Sequence, residues 1–249
     1  LRYSKLKYTP SQYLLYIVMV NQYLFMNKRK ILIVTERRAD YSRFKPILKL
    51  LSADKRFRYD LCVTGLHLLE KHGYTLNEIK KDGFQIKYQF KMFLEDIDTT
   101  GAMVRSLSRA IYEISKVIEN SKPDIILSGF DIAANLAITI AGAHMNIPVA
   151  HIQGGEVSGT IDESIRHAMS KFAHYHFASN EDACQRLIKM GEKKENVFNV
   201  GCPSIDALLS VKDDPDCLKK YNLSKPFFLV LQHPVTTEYD KSIEQMRET

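Results

Sequence analysis

From Lys30 onward the chain alternates short apolar runs with stretches whose apolar residues return every three to four positions. Residues 31–35, 59–64, 84–88, 125–127, 148–152, 174–178 and 197–200 read as strands. Residues 40–51, 101–120, 133–144, 181–190 and a segment reaching about 172 read as helices. Within 101–120, Met103, Leu107, Ala110, Ile111, Ile114, Val117 and Ile118 recur at helical spacing. This order predicts an α/β fold, a mostly parallel Rossmann-like sheet with helices on both faces. Such sheets bind ligands beyond the carboxyl ends of their strands, near the point where strand order reverses. The loops to inspect are therefore 36–42, 65–73, 128–131 and 153–163.

The pattern divides the chain. Residues 26–211 make the main domain. The charged run Lys212-Asp213-Asp214-Pro215-Asp216 opens a solvated linker over 212–224. Residues 225–249 hold the apolar run FFLVLQ, the turn HPVTT and one helical pattern. One strand and one helix cannot close a core, so 225–249 is expected to be the start of a truncated second Rossmann-like domain. Residues 1–25 read as an upstream extension, natural or not. Their apolar run, 13–25, is broken by Asn21-Gln22 and falls short of the roughly 20 residues a membrane helix needs. No stable membrane insertion is expected.

Composition narrows the classes. At 45% hydrophobic and 26% charged, the 249-residue chain matches soluble globular proteins. Its net charge of +6 is scattered, which argues against a nucleic-acid surface but leaves room for a cleft that takes anionic phosphates. Cys62, Cys184, Cys202 and Cys217 form no CxxC pair, which predicts buried thiols in a reducing, cytoplasmic setting and no zinc site.

Four loops carry candidate chemistry. In HIQGGEVSGTIDESIRH (151–167), Gly154-Gly155 lets the backbone turn and approach a ligand. Thr160 can cap a helix with Glu163 as its capping-box partner. Asp162–Arg166 and Glu163–His167 can pair at i,i+4, each worth only ~0.3–0.5 kcal/mol. Asp162 opens that helix at the ligand-binding edge, where a carboxylate could serve as general acid or base. In TERRADYSR, Arg38 and Ser42 beside a helix start make a phosphate cradle or a merely solvated pair. Neither GxGxxG nor GxxxxGK[ST] is present, so no dinucleotide fingerprint or P-loop is indicated. Asp131 in SGFDIAANLA is an N-cap or a reacting carboxylate. His67 in TGLHL is a polar loop residue or a ligand contact. His233 would face the cleft if two domains stacked edge to edge. His144, His174 and His176 read as structural.

Together RADYS, TGLHL, MNIPVAHIQGGEVSGTIDESIRHA, KFAHYHFASN, GCPSIDALL and LQHPVTT resemble the UDP-N-acetylglucosamine 2-epimerases, from about residue 30 to 237. The nearest type is the hydrolysing enzymes of sialic-acid and related nonulosonic-acid synthesis. The resemblance implies a GT-B-like pair of Rossmann-like domains with a UDP-sugar in the cleft. UDP leaves C1 as the C2 proton is removed, and water then adds to the 2-acetamidoglucal, releasing N-acetylmannosamine. It implies no metal, no cofactor, no nucleic acid and a homo-oligomer. Residue by residue, Asp131 and Asp162 match acid/base carboxylates, and Gln153 and Glu156 stand at motif positions of the catalytic loop. Arg38, Ser42 and His233 match UDP contacts, with His67, Gly154, Gly155, Glu163 and Arg166 lining the sugar-nucleotide site.

Two departures stand out. Gln153 replaces an acid common in the HxEGGE pattern, and Gln cannot take a proton. Phe130-Asp131-Ile132 replaces a frequent Gly-Asp-Arg. Three explanations follow: a different sugar such as a diacetamido-trideoxy sugar, a stand-in acid at Glu156 or Glu163, or impaired catalysis. A GT-B glycosyltransferase and a non-catalytic sugar-nucleotide-binding module are the competing functions.

Overall fold

The computed structural model describes residues 28–94, 99–212, 214, 216–224, 226–233, 238 and 241–249. The 1–25 extension lies outside them. Seven strands form one parallel sheet in the order β3-β2-β1-β4-β5-β6-β7. They are β1 (Arg29–Thr35), β2 (Phe57–Val63), β3 (Ile86–Gln89), β4 (Ile125–Gly129), β5 (Val149–Ile152), β6 (Tyr175–Ala178) and β7 (Val197–Asn199). Every neighbouring pair runs parallel. Strand order reverses between β1 and β4, which places the ligand crevice there.

Alternation along the strands builds two cores. Ile31 and Ile33 point to one face, where they meet Tyr41, Phe44 and Leu48 of α1 (Arg38–Ala53) and Leu76 and Ile79 of α2 (Leu76–Lys81). Leu32 and Val34 point to the other, against Ala110 and Ile114 of α3 (Thr100–Ser121) and Ala134 and Ile138 of α4 (Ala133–His144). Further along come α5 (Ile161–Phe172), α6 (Glu181–Lys189) and α7 (Pro203–Leu209), which packs on α1. Short helices α8 (Cys217–Lys220) and α9 (Ser242–Glu248) follow. The first of them lies inside the stretch expected to be a linker.

The strand expected at FFLVLQ does not form. Residues 227–232 have no ladder partner, and Phe228 is 99% exposed. A strand exists only by hydrogen bonding to a neighbour, and hydrophobicity alone cannot supply one. The expectation of buried thiols holds for Cys62 and Cys184, whereas Cys217 is exposed; all four are free.

Gly155 shows how tightly the β5 loop is seated. It adopts φ +80°, and a Cβ there would lie 2.4 Å from the Ala183 carbonyl oxygen of α6. Gly155→Ala is expected to cost about 3 kcal/mol from backbone strain plus overpacking. An unfolding free energy from urea titration lowered by less than a third of that would contradict the assignment.

Candidate functional site

The site is built where β1, β4, β5 and β6 end. Glu36 follows β1 and is fully buried. Its carboxylate accepts the Ala134 N–H at the start of α4 at 2.8 Å and Arg37 Nη2 at 2.6 Å. Asp40, also buried, closes the first turn of α1 by accepting the N–H groups of Glu36, Arg37 and Tyr41, each at 2.9 Å. Burial pushes the Asp40 carboxyl up to about 7 against those backbone hydrogen bonds, and the Glu36 charge adds to the rise. Burial alone would lower the Arg37 pKa, but Glu36, Asp40 and Asp162 together hold it above the ordinary arginine value.

After β4, Phe130 takes φ +71°, a left-handed conformation that favours glycine. Tertiary contacts hold it there. Its ring packs against Phe44 at 5.2 Å between centroids, with the Arg43 guanidinium 4.7 Å above it. Its N–H donates to Ile152 O, and its carbonyl accepts His151 Nε2 at 3.2 Å. Burial lowers the His151 pKa to about 3, so its neutral imidazole serves as scaffolding. This bend presents Asp131, whose Oδ2 is ion-paired with Arg166 Nη2. Ile132, not Asp131, is the N-cap residue of α4, so Asp131 has no capping duty.

Arg166 is buried on α5, and its Nη1 donates to the Glu156 carbonyl at 2.9 Å and Ser158 Oγ at 3.3 Å. The expected Asp162–Arg166 pair is therefore replaced by a bond across the β4–β5 edge. A buried guanidinium gains more from three acceptors there than from one partly exposed carboxylate. Thr160 does cap α5 by accepting Asp162 N–H, but Glu163 turns away from the expected capping box. It accepts Ser158 N–H at 2.7 Å and so fixes the loop, while His167 lies 3.9 Å from its other oxygen. Asp162 stands partly exposed in the first turn of α5.

Gln153 also has positive φ, +58°, and is 6% exposed. Its Nε2 donates to Glu156 Oε1 at 3.2 Å and to Cys202 Sγ at 3.3 Å. Ser179 Oγ donates to the same Glu156 oxygen. The amide at 153 thus serves a neighbouring carboxylate. An acid in its place would set two carboxylates in contact, and one of them would hold a proton.

The remaining expected site residues have these surroundings. His67 is a core residue, with Nε2 3.0 Å from Thr35 Oγ1 and Nδ1 2.7 Å from Thr75 Oγ1. Both ring nitrogens are occupied, and burial lowers its pKa to about 4. The space beside Gly154 belongs to the protein itself, since a Cβ there would meet Ser170 Oγ at 2.8 Å and His151 Nδ1 at 2.9 Å. Ser42 is exposed and donates to Ala39 O. Arg38 is exposed and lines a cavity of about 460 Å³ with Arg37, Leu66, Lys71, His72 and Thr75. His233 is exposed, and 234–237 of HPVTT lie outside the described residues. Sequence reasoning passed over Glu36, Arg37, Ser179 and Cys202; the first three directly follow strand ends or flank them, which was the available signal. Among the described residues, no group of three His, Cys, Asp or Glu side chains is placed to hold a metal. None of their helices is long and apolar enough to cross a membrane.

Comparison with known proteins gives a consistent picture. The family model described as UDP-N-acetylglucosamine 2-epimerase matches residues 49–249. A UDP-N,N'-diacetylbacillosamine 2-epimerase (hydrolyzing) of Legionella pneumophila is 40% identical, covering 85% of this chain and 57% of its own length. A UDP-N-acetylglucosamine 2-epimerase of Neisseria meningitidis is 34% identical, over 84% of this chain and 55% of the relative. The chain thus spans little more than half the length of these relatives. The crystal structure of a Neisseria meningitidis UDP-GlcNAc 2-epimerase bound to UDP-GlcNAc shares the GT-B-like fold at TM-score 0.64 and 22% identity. That match covers 72% of this chain and 48% of the other.

Proposed function

The chain belongs to the UDP-N-acetylglucosamine 2-epimerase family, and from that premise we propose that its protein is a hydrolysing 2-epimerase of a UDP-linked 2-acetamido sugar. The observation that carries this reading is Asp131, set at the end of β4 by Arg166, on the same sheet edge as Asp162 at the start of α5. In the first half-reaction the C1–O bond to the diphosphate breaks, and UDP leaves with its electron pair. The C2 proton, acidified by positive charge developing at C1, passes to a carboxylate, leaving a 2-acetamidoglucal. In the second, water oxygen bonds to C1 and a proton returns to C2 on the opposite face. One water is consumed, and UDP and the free 2-epimer are released. Asp131 and Asp162 are assigned the two proton transfers, and cations near β1 offset the charge on the leaving diphosphate.

Among such sugars, UDP-N,N'-diacetylbacillosamine is the substrate we favour, because Gln153 offers an amide where an acid would otherwise stand and the Legionella relative carries that activity in its name. UDP-N-acetylglucosamine is the second reading, supported by the Neisseria relative. Proton and phosphorus NMR of products from the complete polypeptide decides between them: release of free 2-epimer and UDP from the diacetamido substrate alone supports the first. An acceptor-dependent product with no free epimer would instead indicate a glycosyltransferase. The 249 residues alone are expected to turn over negligibly, since 227–232 stand unpaired and the matched stretch spans only 57% and 55% of the two relatives' lengths. Epimer release above a no-enzyme control would contradict that. A nucleotide-sugar substrate and four free thiols fit a cytoplasmic enzyme.

Gln153→Glu places a second carboxylate against Glu156. The expected outcome is a new titration in the pH profile of kcat, together with an altered ratio of turnover on the two sugars. An unchanged profile and ratio would remove Gln153 from the site.

A further inference from the structure

Hydrolytic 2-epimerisation needs three proton transfers, and two carboxylates account for only two of them. Removal of the C2 proton and its return on the opposite face occupy Asp131 and Asp162. The third proton leaves the water that attacks C1, and it needs an acceptor of its own. A cluster at the ends of β5 and β6 supplies one. Gln153 directly follows β5, and Ser179 directly follows β6. Arg166 ties this cluster to Asp131, since one guanidinium nitrogen pairs with the Asp131 carboxylate and the other donates to the Glu156 carbonyl at 2.9 Å. Glu156 is thereby held beside the proton-carrying edge. Its side chain is partly exposed, and both of its donors, Gln153 Nε2 and Ser179 Oγ, use Oε1. Oε2 remains to take a proton.

Gln153 marks where the water sits. Its side chain is buried, and its Oε1 has no hydrogen-bond partner among the described residues. Turning the amide over gives no relief, because Oε1 would then face the Glu156 carboxylate. A buried carbonyl oxygen without a donor is commonly satisfied by an ordered water, which itself needs two or more polar partners. Gln153 Oε1 and Glu156 Oε2 are acceptors for the two O–H bonds of one water, which leaves its oxygen lone pair free to attack. The amide stays neutral at any working pH, so the proton can pass only to Glu156.

We propose that Gln153 and Glu156 hold the water of the second half-reaction and that Glu156 is its general base. This rests on the function proposed above. The water lone pair bonds to C1, while the C1–C2 double-bond pair takes a proton at C2 from the opposite face. The broken O–H bond leaves its electron pair on the new hydroxyl, and its proton passes to Glu156 and then to solvent. The test is proton and phosphorus NMR of the complete polypeptide acting on the nucleotide sugar it turns over. Glu156→Gln keeps an oxygen for Ser179 and Gln153 but cannot take a proton. It is expected to lower release of free 2-epimer by at least about 10²-fold, while UDP still appears, matched by 2-acetamidoglucal. Supplied directly, 2-acetamidoglucal should be hydrated by the unmodified protein and left intact by the variant. Free epimer matching UDP at near-normal rate, or equal loss of UDP and epimer with no glucal, overturns the assignment. Should Glu156→Gln misfold, Glu156→Asp withdraws the carboxylate by one methylene and is held to the same criterion. If the unmodified protein releases no UDP from either sugar, the 2-epimerase reading itself fails. If it does release UDP and Glu156→Gln hydrates the glucal normally, only the role of Glu156 is overturned.

Discussion

Asp162→Asn is expected to lower turnover by about 10²–10⁴-fold while UDP affinity stays within tenfold, and Asp131→Asn should do the same. The two losses have different structural routes. Asp162 sits partly exposed on the first turn of α5, and its N–H, not its carboxylate, is used by the Thr160 cap. Asparagine keeps the shape and removes only the capacity to carry a proton. Asp131 is half of a pair with buried Arg166, so its amide variant also loosens the β4–β5 edge. Its stability should fall as well as its rate, whereas Asp162→Asn should unfold at the wild-type urea midpoint. Near-normal turnover in either variant would sink the assignment of that carboxylate. Equal loss of rate and of UDP binding would show that the site had collapsed and no proton carrier had been removed.

Much of the fold could be read from local pattern, because each strand is a short apolar run and each helix repeats its own face. Ala133–His144 is a case in point, since its apolar residues alone mark both ends. What stayed hidden depends on partners distant in sequence. The carboxylate that accepts the Ala134 N–H in the first turn of α4 belongs to Glu36, 98 residues away, and no local signal connects them. The run 227–232 has the composition of a strand but no neighbour to pair with.

The candidate site was legible in the same measure. Asp131, Gln153, Glu156, Asp162 and Arg166 were marked by lying in polar loops after strands, and the fold brings their segments to one edge. Their pairings were not legible. Spacing favoured Asp162–Arg166, while the structure gives Arg166 to Asp131. Likewise His67 follows a strand as a ligand contact would, yet Thr35 and Thr75 claim both its nitrogens. Adjacent arginines posed the subtler problem. Periodicity cannot say which of Arg37 and Arg38 turns inward; the Glu36 carboxylate decides it.

Buried histidines should make the fold acid-sensitive. His67 and His151 are neutral and held below the ordinary value of 6.5, at about 4 and about 3, chiefly by burial. The unfolded chain therefore binds protons more readily than the fold at these two positions. Their contribution is fully present above about pH 6.5 and is lost as pH falls toward 4. Each represents on the order of 3 kcal/mol or more over that window. Burial lowers His176 too, although Glu192 opposes it, and its effect has the same sign. Asp40 acts the other way. Its carboxyl is raised to about 7, so the fold takes up that proton more readily and gains stability as pH falls from about 7 toward 4. Two or three histidines outweigh one carboxyl, so urea midpoints should decline between pH 7 and 4.5. His67→Gln and His151→Gln should be less stable than wild type at pH 8 but decline less on acidification. Asp40→Asn removes the opposing gain and should decline more steeply. If all three variants run parallel to wild type, these groups do not govern the acid response, and their neutral burial in the fold is wrongly assigned.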